Sequence, residues 1–136
     1  MTYAKTLFTV AVICLILIFV QWAQSTTYRE VEMTVTHYCP CKVCCGKYGE
    51  KFTTADNTYF KGNYNFRCVA ADRRYYKFGT KFEVDGVVYT MHDVGGAIKG
   101  NHIDVLVYPC SDLAACHKEA LRLGVRKIKV KVFEER

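Results

Sequence analysis

The chain has 136 residues, and its 19 lysine and arginine residues outnumber its 13 aspartate and glutamate residues, which gives a formal net charge of +6. This length fits one domain and excludes a two-domain enzyme. Eight cysteines are unusual for a cytosolic chain of this size. The composition therefore favours an oxidising compartment or a metal site.

An apolar run opens the chain from Leu7 to Val20, after Lys5 and before the small residues Ala23 and Ser25. This pattern is typical of a signal peptide. As a helix, the run would cover about 21 Å, which is less than a hydrocarbon core of about 30 Å. We therefore expect residues 1–25 to form a cleaved signal peptide. The alternative is an uncleaved membrane anchor formed by residues 7–23, and in both cases residues 26–136 form one extracytoplasmic domain.

Apolar residues in the remaining chain recur mostly every second position, which predicts a small β domain. The first strand alternates through Val31, Met33 and Val35 and ends at Tyr38. A loop rich in Cys, Gly, Asn and Tyr then runs to about Arg67. Such a long loop without strong periodicity is typical of a functional or crosslinked segment.

The second half of the domain contains the clearest turn and cap signals. Asp85 and Gly86 stand between two apolar runs, which predicts a tight hairpin. Gly124 follows a stretch with helical periodicity and is well placed to end it. The predicted elements are strands at 68–71, 82–84, 87–91, 103–108 and 125–133 and a helix at 111–123. We predict a mainly β fold of five or six strands and one helix, and closing the sheet into a barrel would remove its exposed edges.

Three aspartates terminate or interrupt apolar strands: Asp72, Asp93 and Asp104. Burial raises the pKa of a carboxyl group, and neighbouring carboxylates raise it further, which would keep one of them protonated near neutral pH as a general acid. The alternative is that these side chains accept backbone hydrogen bonds at loop corners. A glycine-rich loop at 95–100 follows the second aspartate and would let the backbone approach a ligand.

These residues carry a family resemblance. The run Asp-Val-Gly-Gly-Ala-Ile-Lys-Gly-Asn-His-Ile-Asp-Val at 93–105, preceded by Val-Ala-Ala-Asp at 69–72 and Phe-Gly-Thr-Lys-Phe-Glu-Val at 78–84, resembles the three-aspartate (3D) domain. The opening Thr-His-Tyr-Cys-Pro-Cys at 36–41 is similar to the start of cysteine-bearing members. The resemblance covers about residues 33–132. It implies a small six-stranded double-psi β-barrel similar to the catalytic domain of membrane-bound lytic transglycosylase A and to secreted 3D-domain transglycosylases.

The resemblance also implies an activity. A lytic transglycosylase cleaves the β-1,4 bond between N-acetylmuramic acid and N-acetylglucosamine in peptidoglycan and leaves 1,6-anhydromuramic ends. Asp104 would be the general acid/base, with Asp93 and Asp72 as further catalytic residues in the same site. The substrate's own C6 hydroxyl is the nucleophile, so the second catalytic carboxylate of an ordinary glycosidase is not required. No cofactor is implied.

Substrate binding is expected from residues around these aspartates, namely Thr36, Tyr38, Gly95, Gly96 and Lys99. Two positions depart from the family, which often has Ala where His37 stands and Pro where Arg73 stands. We expect His37 to be structural and Arg73 to pair with Asp72, which would lower the pKa of that carboxyl. His92 and His102 flank the glycine loop and are expected to cap strands.

Four cysteines lie within seven positions in the pattern C-x-C-x-x-C-C, and Cys68, Cys110 and Cys116 lie farther along the chain. In an exported protein we favour disulfides that join clustered to distant cysteines, with one of the seven left over. Free buried thiols are one alternative. Zinc held by four thiolates is another, and its ligands would be Cys39, Cys41, Cys44 and Cys45. A cysteine nucleophile is disfavoured because no helix is predicted after the cluster.

The partner class follows from the charge. Nucleic acid is disfavoured because Lys127, Lys129 and Lys131 alternate with apolar residues on one predicted strand, so they form a solvated face. We expect peptidoglycan glycan strands as the partner and a secreted or cell-envelope location, for a protein of bacterial or phage origin. Two other functions stay open: a noncatalytic glycan-binding barrel of the expansin kind, and a disulfide-stabilised structural domain.

Overall fold

The computed structural model describes residues 2–22 and 27–133. Helix α1 spans Thr2–Trp22. In these two ranges, no helix has both the length and the apolar character that crossing a membrane requires. The expected signal-cleavage region at Ala23 and Ser25 lies outside the described residues, so the domain boundary at residue 25 stays a prediction.

Six strands form the body of the protein. They are β1 (Tyr28–Tyr38), β2 (Cys68–Ala70), β3 (Lys81–Val84), β4 (Val87–Asp93), β5 (His102–Leu106) and β6 (Arg126–Phe133). They close into a barrel in the order β1, β5, β2, β4, β3, β6. The pairs β1/β5 and β2/β4 are parallel, and the other neighbours are antiparallel. The predicted mainly β class and the closed six-stranded barrel are confirmed.

Alternation along the strands builds the barrel core. Met33 and Val35 of β1 and Val130 and Val132 of β6 are buried, and they pack in one cluster with the fully buried Phe82. The lysines between the apolar residues of β6 turn outward or pair across the sheet. The barrel interior is therefore a packed apolar core, and the predicted solvated lysine face agrees with the register of β6.

The predicted turn and caps occur at the expected residues. Asp85 and Gly86 both have positive φ, 51° and 80°, as a tight hairpin between β3 and β4 requires. A helix at Leu113–Leu123 begins at Asp112, whose carboxylate accepts a hydrogen bond from the Ala115 N–H at 2.7 Å. It ends at Gly124 with φ 62°.

The segment between β1 and β2 contains more structure than the sequence predicts. Helix α2 spans Lys42–Cys45, a single 3-10 turn follows at Gly46–Tyr48, and the helix at Leu113–Leu123 is therefore α3. The expectations of one helix in the domain and of no helix after the first cysteines are wrong. One turn is too short to produce a periodic pattern, and it begins because the sulfur of Cys41 accepts a hydrogen bond from the Cys44 N–H at 3.4 Å.

The cysteine pairing also differs from expectation. Cys110 and Cys116 form a disulfide between the loop after β5 and helix α3. The other cysteines among the described residues are free thiols. The expected pairing of clustered with distant cysteines is wrong, because two of the three distant cysteines lie six residues apart and pair with each other.

Candidate functional site

A cleft of about 700 Å³ lies where β2, β4 and β5 meet the segment after β1. Ala70 of β2 forms its floor and pairs in register with both Asp93 of β4 and Asp104 of β5. Neighbouring strands lie about 4.8 Å apart, so the α-carbons of the two aspartates lie about 10 Å apart, on either side of Ala70. The short alanine side chain leaves the space between the carboxylates open.

Thr36 holds Asp104 from the neighbouring strand. The two residues pair in register across β1 and β5, and the Thr36 hydroxyl donates to Oδ1 of Asp104 at 2.9 Å. The same hydroxyl lies 2.9 Å from Nε2 of His102. Because the hydroxyl has one proton, it accepts from His102 while it donates to Asp104. His102, Thr36 and Asp104 thus form a short hydrogen-bonded chain that orients the carboxyl.

The environment of Asp104 favours its protonated form. Burial raises the pKa of this carboxyl, and the negative charge of Asp93 raises it further. The hydrogen bond from Thr36 and the imidazoles of His102 and His37 act in the opposite direction. Within residues 2–22 and 27–133, Thr36 is the only group that hydrogen-bonds Asp104. The second oxygen of a carboxyl with a raised pKa is therefore available at the cleft, as a general acid requires.

Asp93 lines the same cleft, but both of its oxygens are occupied. Oδ2 accepts a hydrogen bond from the Tyr38 hydroxyl at 2.8 Å, and Oδ1 accepts from the N–H groups of Ala55 at 3.2 Å and Val94 at 3.0 Å. Burial raises the pKa of Tyr38 well above its usual value, so this hydroxyl remains a donor. Asp93 joins the end of β4 to β1 and to the loop at 55.

Asp72 is not among the residues that line the cleft. Its carboxylate, 3% exposed, accepts two hydrogen bonds from the Arg74 side chain at 2.7 and 3.0 Å and one from the Gly100 N–H at 2.9 Å. The hydrogen bonds from Arg74 and then Gly100 hold the pKa of Asp72 well below its usual range. The expected pairing with Arg73 is wrong, because its guanidinium lies over the Phe78 ring. Asp72 fastens the glycine loop to the end of β2.

The predicted substrate-binding residues divide into two groups. Tyr38, Gly95 and Gly96 line the cleft, whereas Thr36 and Lys99 are not among its lining residues. A side chain at position 95 would place its Cβ 2.6 Å from the side chain of Ile98, so glycine is required there. The hydroxyl of Thr36 is used by Asp104 and His102, and Lys99 is exposed.

The opposite wall of the cleft comes from residues that sequence reasoning missed. They are Tyr48, Lys51, Phe52, Thr54, Asn57 and Phe60. Phe52 and Phe60 contact each other edge to face, with ring centroids 5.7 Å apart, and Phe60 stacks on Phe66 at 4.9 Å. This wall is a pair of aromatic surfaces beside a small number of polar groups, the common composition of a ligand site.

Asp56 attaches this wall to the barrel. Its carboxylate accepts a hydrogen bond from the Thr54 hydroxyl at 2.7 Å and lies 2.6 Å from Nδ1 of His92 on β4. Burial alone would raise the pKa of Asp56, but hydrogen bonds from Thr54, His92 and Thr58 outweigh it and lower the pKa to about 2. The signal in the sequence was Thr-Ala-Asp-Asn at 54–57, a turn-forming tetrapeptide in which Asn57 has φ 68°.

The remaining histidines have structural partners. His37 lies 3.2 Å from the carbonyl oxygen of Gly124 through Nδ1, which agrees with the structural role expected for it. The sulfur atoms of Cys39, Cys41 and Cys44 and a ring nitrogen of His117 all lie within 4.8 Å of one another. Cys45, in the predicted four-cysteine set, instead directs its sulfur to the carbonyl oxygen of Cys39 at 3.3 Å. The group that could hold a metal therefore differs by one ligand from the predicted one.

Comparison with known proteins agrees with this arrangement. The family model described as 3D domain matches residues 67–132. YabE of Bacillus subtilis (strain 168), named for a proposed role in cell wall shaping, is 34% identical over 113 residues, which are 82% of this chain and 25% of YabE. The cell wall-binding protein YocH of the same organism is 34% identical over 106 residues, which are 77% of this chain and 33% of YocH. The chain thus spans a third or less of the length of these relatives.

Proposed function

We propose, from the membership of this chain in the 3D domain family, that the protein acts on the glycan strands of bacterial peptidoglycan as a lytic transglycosylase. The names of YabE and YocH support a role at the cell wall. The observation that carries the proposal is Asp104, a carboxyl with a raised pKa and one unpartnered oxygen beside an open cleft. A secreted or cell-envelope location follows from this substrate and stays part of the proposal.

The proposed reaction needs one group that first gives and then takes a proton. Protonated Asp104 gives its proton to the glycosidic oxygen as the bond from that oxygen to C1 of N-acetylmuramic acid breaks. The C6 hydroxyl of the same sugar forms a new bond to C1 and returns its proton to the Asp104 carboxylate. The enzyme ends in its starting state, and the product is a 1,6-anhydromuramic end.

The other aspartates have supporting roles in this scheme. The charge of Asp93 helps to keep Asp104 protonated, and its hydrogen bond to Tyr38 keeps the cleft side of β1 in place. Asp72 is always ionised near neutral pH, since its pKa is depressed. It is therefore suited to hold the glycine loop beside the cleft, and unsuited to donate a proton.

The walls of the cleft suit a glycan. Tyr48, Phe52 and Phe60 offer aromatic faces against which the apolar faces of sugar rings can pack. Lys51 also lines the cleft and is the basic side chain placed to meet an anionic group, such as the lactyl or peptide carboxylate of a muramyl unit. Gly95 and Gly96 allow the backbone of the glycine loop to approach the sugars closely.

The test is the release of anhydromuropeptides from purified peptidoglycan. The Asp104→Asn substitution keeps the side-chain shape and the acceptor for Thr36 but removes the proton, so we expect a loss of about 10²- to 10⁴-fold in rate. Asp85→Asn is the matched control, since Asp85 lies in the exposed β3–β4 turn where Asn tolerates a positive φ. Product release by Asp104→Asn at the unsubstituted rate contradicts the assignment.

A second function is favoured by one specific observation, which is the name of the relative YocH, a cell wall-binding protein. A noncatalytic barrel would use the same aromatic cleft to hold glycan strands. Sedimentation of the protein with insoluble peptidoglycan, together with product analysis, separates the two functions. Binding that is equal in the unsubstituted protein and in Asp104→Asn, without anhydromuropeptides from either, favours the binding module.

A further inference from the structure

We propose that Cys39, Cys41, Cys44 and His117 bind one Zn²⁺ ion in a closed tetrahedral site. Three of these residues come from the end of β1 and from α2, and the fourth comes from α3, more than 70 positions later in the chain. The four ligand atoms lie within 4.8 Å of one another. This inference rests on the geometry of the four side chains and is independent of the proposed catalytic activity.

The distances fit a zinc tetrahedron. With Zn–S bonds of about 2.3 Å and Zn–N bonds of about 2.0 Å, neighbouring sulfurs lie about 3.8 Å apart and a sulfur lies about 3.6 Å from the nitrogen. Nδ1 of His117 lies 3.8, 3.6 and 3.4 Å from the sulfurs of Cys39, Cys41 and Cys44. The sulfur of Cys39 is 3.5 Å from that of Cys44 and 2.9 Å from that of Cys41. Only the last distance must increase, by about 0.9 Å, when an ion enters.

The ligand chemistry also indicates zinc. Three thiolates and one imidazole form a Cys₃His set, which is one of the usual sets of structural zinc sites. The N–H of Cys44 already donates to the sulfur of Cys41 at 3.4 Å, and such a hydrogen bond stabilises a thiolate that binds a metal. Cys39 and Cys41 are buried, so the site is closed on the barrel side. Cys45, with its sulfur on a backbone carbonyl, is outside the set.

The ion would connect the cleft wall to α3. Cys44, Cys45 and Tyr48 line the cleft, and the four-residue helix α2 that carries Cys44 is too short to be stable alone. Helix α3 is anchored independently at its start by the Cys110–Cys116 disulfide, next to His117. A metal bridge between the two would give the wall a rigid attachment that its own hydrogen bonds do not supply.

The experiment uses the full chain, reduced and stripped with a chelator and then returned to one equivalent of Zn²⁺. We expect one zinc per chain by elemental analysis after gel filtration. Co²⁺ in place of Zn²⁺ is expected to give the absorption bands of a tetrahedral thiolate site. Cys44→Ser and His117→Ala are expected to lower zinc affinity by about 100-fold or more, since losing even an outer partner costs about 10- to 100-fold.

Cys45→Ser is the matched control, a cysteine one position from a ligand with its sulfur elsewhere, and it is expected to retain one zinc per chain. Circular dichroism of every variant identifies one that has failed to fold, and Co²⁺ titration of Cys41→Ser then replaces it as the test. Protein without zinc that carries a disulfide within the cluster, detected as a mass 2 Da lower than the reduced form, overturns the proposal. Loss of zinc from Cys45→Ser equal to that from Cys44→Ser overturns the ligand assignment.

Discussion

The barrel and the cysteine-rich segment at 39–67 are held together by different kinds of interaction. The barrel has a continuous backbone ladder around six strands and an apolar interior that includes Phe82, Met33 and Met91. The segment at 39–67 has one isolated bridge, between Thr53 and Tyr59, and is otherwise attached by side chains. Those attachments are an aromatic cluster, the Asp56–His92 pair and the sulfur cluster with His117.

This difference teaches how the cleft is built. The barrel places Asp93 and Asp104 on either side of Ala70, because register between strands determines their positions. The segment at 39–67 supplies the facing wall and can be loosened without unfolding the barrel. Chemistry and substrate binding should therefore respond separately to changes in the two regions.

The largest expected effect on stability is in the barrel. Phe82 is fully buried in the core, and Phe82→Ala removes most of its packing. We expect a loss of about 3–5 kcal/mol in the free energy of unfolding. Chemical denaturation followed by circular dichroism measures it. Leu121→Ala, on the exposed face of α3, is the control and should change stability by less than about 0.5 kcal/mol. Similar losses from both substitutions would contradict the placement of the core.

A smaller and more local effect is expected in the segment at 39–67. Asp56→Ala removes the acceptor for Thr54, Thr58 and His92, which we expect to cost about 1–2 kcal/mol. Hydrogen exchange should accelerate at 53–59 and stay unchanged in β1 and β6. Peptidoglycan binding should weaken at the same time. Glu30→Ala, which removes an exposed and distant ion pair, is the control. Equal acceleration throughout the barrel would show that the two regions are not separable.

Acid should weaken both regions through their ionised carboxylates. The folded-state pKa values of Asp56, about 2, and Asp72 are depressed relative to an unfolded value of about 3.9. Their stabilising contribution is present above the unfolded pKa and is lost as pH falls through the folded pKa. We expect the melting temperature to fall progressively below about pH 4. Asp72→Asn should flatten part of this decline, and an unchanged slope in that variant would contradict the depressed pKa.

The smallest expected effect has the opposite sign. Burial raises the pKa of Asp104, so ionising it is harder in the folded than in the unfolded chain. The stability linked to this carboxyl is present at low pH and is lost as pH rises through the raised pKa. Asp104→Asn should therefore melt at a slightly higher temperature than the unsubstituted protein at neutral pH, while it loses activity. A lower melting temperature at neutral pH would show that burial does not disfavour the charged carboxylate.

Much of the barrel could be predicted because its signals are local. Alternation along β1 and β6, the Asp85–Gly86 turn and the caps of α3 each depend on residues within a few positions of one another. The motif at 93–105 likewise identified the glycine loop and the aspartate that the structure places in the cleft. Short α2 and the aromatic wall escaped prediction, because a single turn and a loop have no period to detect.

The sequence by itself determined the strand pattern, the closed barrel and the choice of Asp104, since hydrophobic alternation and motif spacing are properties of neighbouring residues. Only the tertiary structure decided which side chains meet across long intervals. It paired Asp72 with Arg74 in place of Arg73, joined Asp56 to His92, and brought His117 to the cysteines of α2. The physical reason is that such contacts depend on how the chain reverses between elements, which no local pattern records.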